Sequence, residues 1–261
     1  MLILALETSS QAGSVALFSG QVAGVVVSDS VLSQRVLSAE RRSAQSLAPA
    51  IAQVLAEAGI RAADVGLVAV TIGPGSFTGL RVGVTTAKTF AYAIGCECLG
   101  VDTLEVIAWQ VPKPRPVVGV QLGAFVQDPG PDLADDSTGS EIHAVLDAQR
   151  KELFLARFRW DGSVPIRLEE NRIVPADQWL SGLAPGTTVT GPGIKRLLDR
   201  LPAGVIAASE LHRDPQAATV GRLAWRDYQA GRRDDLWMFA PKYLRPSAAE
   251  EKVGPASRPG P

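Results

Sequence analysis

Sulfur and imidazole are scarce in this chain: its 261 residues hold two cysteines, two methionines and two histidines. Cys96 and Cys98 lie two apart in a stretch that reads as a strand, so their side chains share one face. Neighbours along one strand make poor disulfide partners, and buried thiols are expected rather than a metal or redox pair. His143 and His212 are too far apart in the chain to form a helical pair, so no metal site is expected from them. His143 alternates with apolar residues and is expected to be an exposed strand residue; His212 falls in a polar loop before a helix. No run of about 18 apolar residues occurs, which argues against a membrane span. The first residues carry no basic stretch, so no signal peptide is expected and the location is read as cytoplasmic. A formal net charge of −1 argues against nucleic-acid binding through the overall field. No Gly-x-Ser-x-Gly elbow with partners is present.

What is there is the composition of a globular protein: 46% hydrophobic and 20% charged residues, enough chain for one large core or two lobes. Residues 1–110 read as a first lobe. Strands are expected at Leu2–Glu7, Gly13–Phe18 and Val22–Ser28, followed by a polar bend, Ser28–Arg42. A helix follows at Ser43–Ala58 with Gly59 as its stop; Pro49 inside it means either a start near Ser46 or a kink. Then come a strand at Val65–Ile72, a helix at Phe77–Ile94, a strand at Glu97–Val101 and a helix at Thr103–Gln110 capped by Asp102 or Thr103. Residues 111–140, rich in Pro and Asp, read as a linker or insertion, with a strand conceivable at Val117–Val126. A second lobe, 141–245, opens with a hairpin, Ile142–Ala148 and Leu153–Trp160, and a third strand at Ile166–Val174. Helices are expected at Pro175–Leu183, Ile194–Leu201 and Ala217–Ala230, with a short strand at Thr187–Thr190. Residues 246–261 read as a disordered tail.

The most informative stretch is Gly73-Pro74-Gly75-Ser76-Phe77-Thr78-Gly79-Leu80-Arg81-Val82-Gly83. It joins an apolar strand to a helix rich in small residues, a geometry that suits either an anion or nucleotide edge, or simply a tight turn. It lacks the Gly-Lys-Ser/Thr of a P-loop and the spacing of G-x-G-x-x-G. Together with Ile3-Leu4-Ala5-Leu6-Glu7-Thr8-Ser9 and Gly100-Val101-Asp102-Thr103-Leu104-Glu105, it resembles the bacterial TsaB (YeaZ) family. Leu146–Glu152 and Pro241–Arg245 carry the same resemblance into the second half, so that it covers most of residues 1–245.

That resemblance implies an α/β fold of the duplicated actin/Hsp70/sugar-kinase (ASKHA) type. It implies a non-catalytic scaffold or activator of TsaD, the subunit that puts a threonylcarbamoyl group on N6 of a tRNA adenosine. A TsaE ATPase would dock on the pair, and tRNA would be held through the complex, with Arg35, Arg41 and Arg42 as candidate contacts. A homodimer is the alternative when the chain is alone, and an autonomous ATP-dependent kinase or hydrolase is the rival function. Nucleotide-facing turns would be Glu7, Thr8 and Ser9; Gly73, Gly75 and Ser76; Asp147; and Gly191 and Gly193 around Pro192. The first and third of these turns lack the glycine that lets backbone approach a phosphate closely. No tightly bound cofactor is expected, and ATP or ADP only weakly or at a partner interface. TsaD proteins carry a His-x-x-x-His pair on the first long helix; Glu40–Ser46 here contains no histidine. The partner surface would be the first two long helices, through Ala44, Ala48, Ile51, Ala52 and Leu55 on one and Gly79, Gly83, Ala87, Phe90 and Ala91 on the other. Their four-residue spacing suits close helix packing, either with a partner or within the chain.

Overall fold

The computed structural model describes residues 1–11, 13–20, 30–37, 43–112, 141–162 and 164–245. Continuous apolar segments form the centre of a first sheet because they can bury both faces. β1 (Leu2–Glu7) pairs antiparallel with β2 (Ser14–Ser19) and parallel with β4 (Val65–Gly73). β3 (Ser30–Val36) closes one edge and β5 (Glu97–Asp102) the other, giving the order β3-β2-β1-β4-β5. The period of two divides the apolar residues cleanly. Leu4, Leu6, Val15, Leu17, Val68 and Val70 face α1 (Ser43–Glu57) and α2 (Phe77–Ile94). Ile3, Ala5, Ala16, Phe18, Leu67 and Ala69 face the opposite way, onto α5 (Ala217–Gln229).

Between the sheets lies α3 (Thr103–Trp109), started by an Asp102 side chain that accepts from the Glu105 N–H at 3.0 Å. Val106 joins the first sheet's core, whereas Leu104, Ile107 and Ala108 pack on the second. That second sheet contains β6 (Glu141–Asp147), β7 (Glu152–Asp161), β8 (Val164–Arg167), β9 (Arg172–Pro175), β10 (Thr188–Thr190) and β11 (Ile206–Ala207). Its order is β11-β10-β6-β7-β8, with β9 also on β7. β6 and β7 are antiparallel, β7 and β8 antiparallel, and β6, β10 and β11 parallel, so the second sheet repeats the first in pairing and strand order. α4 (Ala176–Ser181) covers its outer face. α5, although it follows the second sheet in sequence, returns to pack on β1 and β2.

Several elements depart from the sequence reading. Ser30–Val36, read as part of a polar bend, is a strand. It is an edge strand with Val31, Leu32 and Val36 exposed, so it lacks the apolar signature of a buried one. The strand expected at Val22–Ser28, the one conceivable at Val117–Val126 and the tail at 246–261 fall outside the described residues. α1 runs from Ser43 straight through an exposed Pro49. Ile166–Val174 divides into β8 and β9, and Ile194–Leu201 forms 3-10 turns at Pro192–Ile194 and Leu198–Arg200 rather than a helix. β11 has only two residues, too short to carry a periodic signal.

Candidate functional site

At the C-terminal end of β1 the chain turns through Glu7-Thr8-Ser9-Ser10, beside the start of α2. Glu7 is fully buried. Its Oε1 accepts from the Ser9 N–H at 2.6 Å and from the Ser9 hydroxyl, and its Oε2 accepts from the Ser10 hydroxyl at 3.1 Å. Burial raises its pKa to about 7, against the pull of those serine hydrogen bonds. The Ser9 and Ser10 donors at this turn are therefore directed at the chain's own carboxyl group.

α2 is locked to the same turn. The Ser76 N–H donates to the Ser9 carbonyl at 2.8 Å, and the Ser76 hydroxyl caps the helix by accepting from the Gly79 N–H at 3.2 Å. A Cβ at Gly75 would meet the Ser9 carbonyl; one at Gly79 would run into the Thr8 carbonyl, and one at Gly83 into the Thr8 hydroxyl. That hydroxyl is buried and without a hydrogen-bond partner among the described residues. The structure brings Glu7, Thr8, Ser9, Gly75 and Ser76 together, in an arrangement closed by backbone packing.

The remaining turn residues sit elsewhere. A Cβ on Gly73 would strike the Lys242 carbonyl, and the Lys242 N–H donates to the Ile72 carbonyl at 2.7 Å. Three residues on, Arg245 hydrogen-bonds the Ala148 carbonyl and pairs with Glu152. Residues 239–245 therefore run as a strap from the glycine-rich turn to the β6–β7 hairpin. Asp147 is exposed, accepts from the Gln149 N–H at 2.7 Å and lies 3.6 Å from Arg196. Gly191 adopts φ 106° with its Cα against the backbone of Val145, and Gly193 packs on the backbone of Val145 and Leu146. These two glycines let the loop after β10 close onto β6.

The two helices present their small residues in opposite directions. On α2, Gly79, Gly83, Ala87 and Ala91 are buried, and Phe90 is half-buried. The small stripe of α2 is its inward face, against the Thr8 turn and the sheet, which corrects the expectation of an outward stripe. On α1, Leu47, Ile51, Val54 and Leu55 fill the core, which removes Ile51 and Leu55 from the candidate surface. Ala48, Ala52 and Ala56 are exposed; Ala44 lies in the helix, its side chain outside the described set. The outward surface is thus the alanine side of α1, with the exposed Tyr92 on α2 in edge contact with Trp237 at 5.8 Å.

His143 corrects another expectation: it is buried, not exposed. Its Nδ1 accepts from the Trp179 indole N–H at 3.1 Å, so Nε2 carries the proton, 3.2 Å from Glu141. Arg157 holds Glu141 through two nitrogens, and burial keeps the imidazole pKa below its ordinary value. No signal in β6 marks this histidine as buried, because its cover comes from Trp179, 36 positions on. Arg35 pairs with Glu57, while Arg41 and Arg42 lie outside the described residues. Cys98 is buried and Cys96, just before β5, half-buried; both are free thiols.

Comparison with known proteins adds four findings. The family model for TsaD, tRNA N6-adenosine threonylcarbamoyltransferase, matches residues 26–122. An uncharacterized protein of Mycobacterium tuberculosis is 28% identical across 82% of this chain and 81% of its own length. The tRNA threonylcarbamoyladenosine biosynthesis protein TsaB of Bacillus subtilis is 31% identical across 41% of this chain and 44% of its own. Among solved structures, YeaZ from Pseudomonas aeruginosa superposes with a TM-score of 0.68 at 21% identity, over 93% of this chain and 99% of that one. The chain is thus similar in sequence to TsaB over part of its length and to the TsaD family model over residues 26–122, and it shares the fold of YeaZ over nearly its whole length.

Proposed function

We propose that this chain is a non-catalytic subunit of the machinery that makes N6-threonylcarbamoyladenosine in tRNA, built on the duplicated ASKHA fold and paired with a TsaD-type transferase. The repeated strand order of the two sheets supports the fold reading, and the similarity to named TsaB proteins supports the pathway. The observation that carries the non-catalytic reading is the capture of the Ser9 and Ser10 donors by Glu7. A phosphotransferase of this fold offers such donors to its nucleotide, and donors already held by the chain's own carboxyl group are not free to do so. The glycines at 191 and 193 are accounted for by backbone packing. ATP or ADP would then bind weakly or only where a partner completes a site.

The partner face is the outward side of α1. Ala48, Ala52 and Ala56 form a strip of small exposed side chains that lets a second helix approach closely. TsaE would act on the assembled pair, and tRNA would be bound by the assembly in the cytoplasm. Two measurements on the purified chain test this reading: ATP turnover, and co-elution with TsaD in size-exclusion chromatography. The expected result is no turnover above background and a stable heteromer. Robust ATP turnover without a partner would support an autonomous kinase or hydrolase, and a homodimer indifferent to TsaD would remove the scaffold role.

A further inference from the structure

The β6–β7 hairpin, the start of α4 and the 3-10 turns after β10 enclose a cleft of about 500 Å³ on the outer side of the second sheet. Arg150, Lys151, Arg196 and Arg200 line it, with three carboxylates. One of these, Glu152, is paired with Arg245 from the strap. Four cations line the cleft against three carboxylates, one of them already neutralised by Arg245 from outside the lining, in a chain whose net charge is −1. Arg200 is held by Asp177 at 2.6 Å. Arg196 reaches Asp147 only at 3.6 Å, and its side chain is 88% exposed. Lys151 acts on Asp177 through space, without an ion-pair contact among the described residues.

The hairpin turn has a second peculiarity. Gln149, Arg150 and Lys151 have φ of 63°, 52° and 61°, three consecutive non-glycine residues in the left-handed region. Such conformations persist only where the surroundings enforce them, and they gather at functional sites. Here the enforcement is visible: Glu152 N–H donates to the Gln149 carbonyl at 2.8 Å, and Ala176 N–H to the Lys151 carbonyl at 2.9 Å. Those bonds place all three residues along one wall of the cleft.

We propose that this cleft is a phosphate-binding site, in which Arg196 and Lys151 engage the phosphates of a polyanion and Arg150 and Arg200 flank them. Its lining comes wholly from the second sheet and the turns around it, so it is distinct from the Glu7 turn and from the α1 face. Naming the polyanion as the tRNA backbone rests on the function proposed above; a free nucleotide offers the same chemistry. Backbone phosphate contacts position an RNA without reading its sequence, a role that suits a subunit without catalytic groups.

The test uses the full chain alone and three probes at low salt: unmodified tRNA, ATP and inorganic pyrophosphate. Two variants are compared with the wild type, Lys151→Glu with Arg196→Glu, and the milder Arg196→Ala, each with its thermal midpoint. The double variant is expected to bind tRNA at least about tenfold more weakly, with a log K against log salt slope shallower by about one to two. Arg196→Ala is expected to weaken binding about threefold at an unchanged midpoint, and it carries the test if the double variant does not fold. Loss confined to tRNA identifies an RNA backbone; parallel loss for pyrophosphate and ATP identifies a free phosphate ligand. Absence of binding to all three probes by the wild type, or unaltered affinities in both variants, overturns the proposal. TsaD is absent throughout, so the result stands apart from whether the chain supports a transferase.

Discussion

Glu7 is a carboxyl group sealed inside the fold, and its pKa of about 7 makes stability depend on pH in an unusual direction for an acid. The folded chain holds this proton more tightly than the unfolded chain, whose carboxyl titrates near 4.5. Its contribution is therefore fully present below about pH 4.5 and is lost as pH rises through about 7. A shift of this size corresponds to about 3 kcal/mol, an order-of-magnitude figure. Glu7→Gln, which cannot ionise, should flatten the urea-unfolding stability between those pH values relative to wild type. Parallel curves for the two proteins would show that Glu7 is not the titrating group. The sequence showed a Glu7 turn that no glycine follows closely. It did not show where the carboxylate points, because that depends on hydroxyls at Ser9 and Ser10 folding back upon it.

The two long helices separate what periodicity reveals from what it leaves open. A four-residue small stripe was legible on both, but the same stripe serves inward packing on α2 and outward exposure on α1. The distinction lies in what each helix covers: α2 crosses the Thr8 turn so closely that a side chain at 79 or 83 has no room, whereas α1 uses Leu47, Ile51 and Val54 instead. Two substitutions test this contrast. Gly83→Leu should cost about 1–3 kcal/mol or more by overpacking, seen as a lowered thermal midpoint. Ala52→Glu should change stability by less than about 0.5 kcal/mol while weakening TsaD binding at least about tenfold. A stable Gly83→Leu protein with selectively lost partner binding, or an Ala52→Glu protein with unaltered affinity, would reverse the assignment of faces. Buried strands and long helices were legible because their apolar runs are continuous. β3, β11 and the break between β8 and β9 were not, because edge pairing and brevity leave no pattern in the side chains.

Across the molecule, the chain stitches its two sheets together rather than closing one before starting the other. α3 contributes to both cores, α5 returns to the first sheet, and the strap at 239–245 joins the glycine-rich turn to the β6–β7 hairpin. Phe239 anchors that strap in the core of the first sheet. Phe239→Ala should therefore destabilise the fold by about 3–5 kcal/mol in denaturant unfolding, and a cost below about 1 kcal/mol would show that the strap is peripheral. A duplicated frame tied in this way, with its first turn occupied by its own carboxyl group, is suited to holding a partner. The most direct measurement of that claim is incorporation of labelled threonylcarbamoyl groups into unmodified tRNA, with TsaD, TsaE, ATP and this chain each omitted in turn. The account predicts no incorporation by this chain alone and a marked loss when it is left out of the full mixture. Incorporation by this chain alone, abolished by Glu7→Ala or Asp147→Ala, would contradict it and place the catalytic site here.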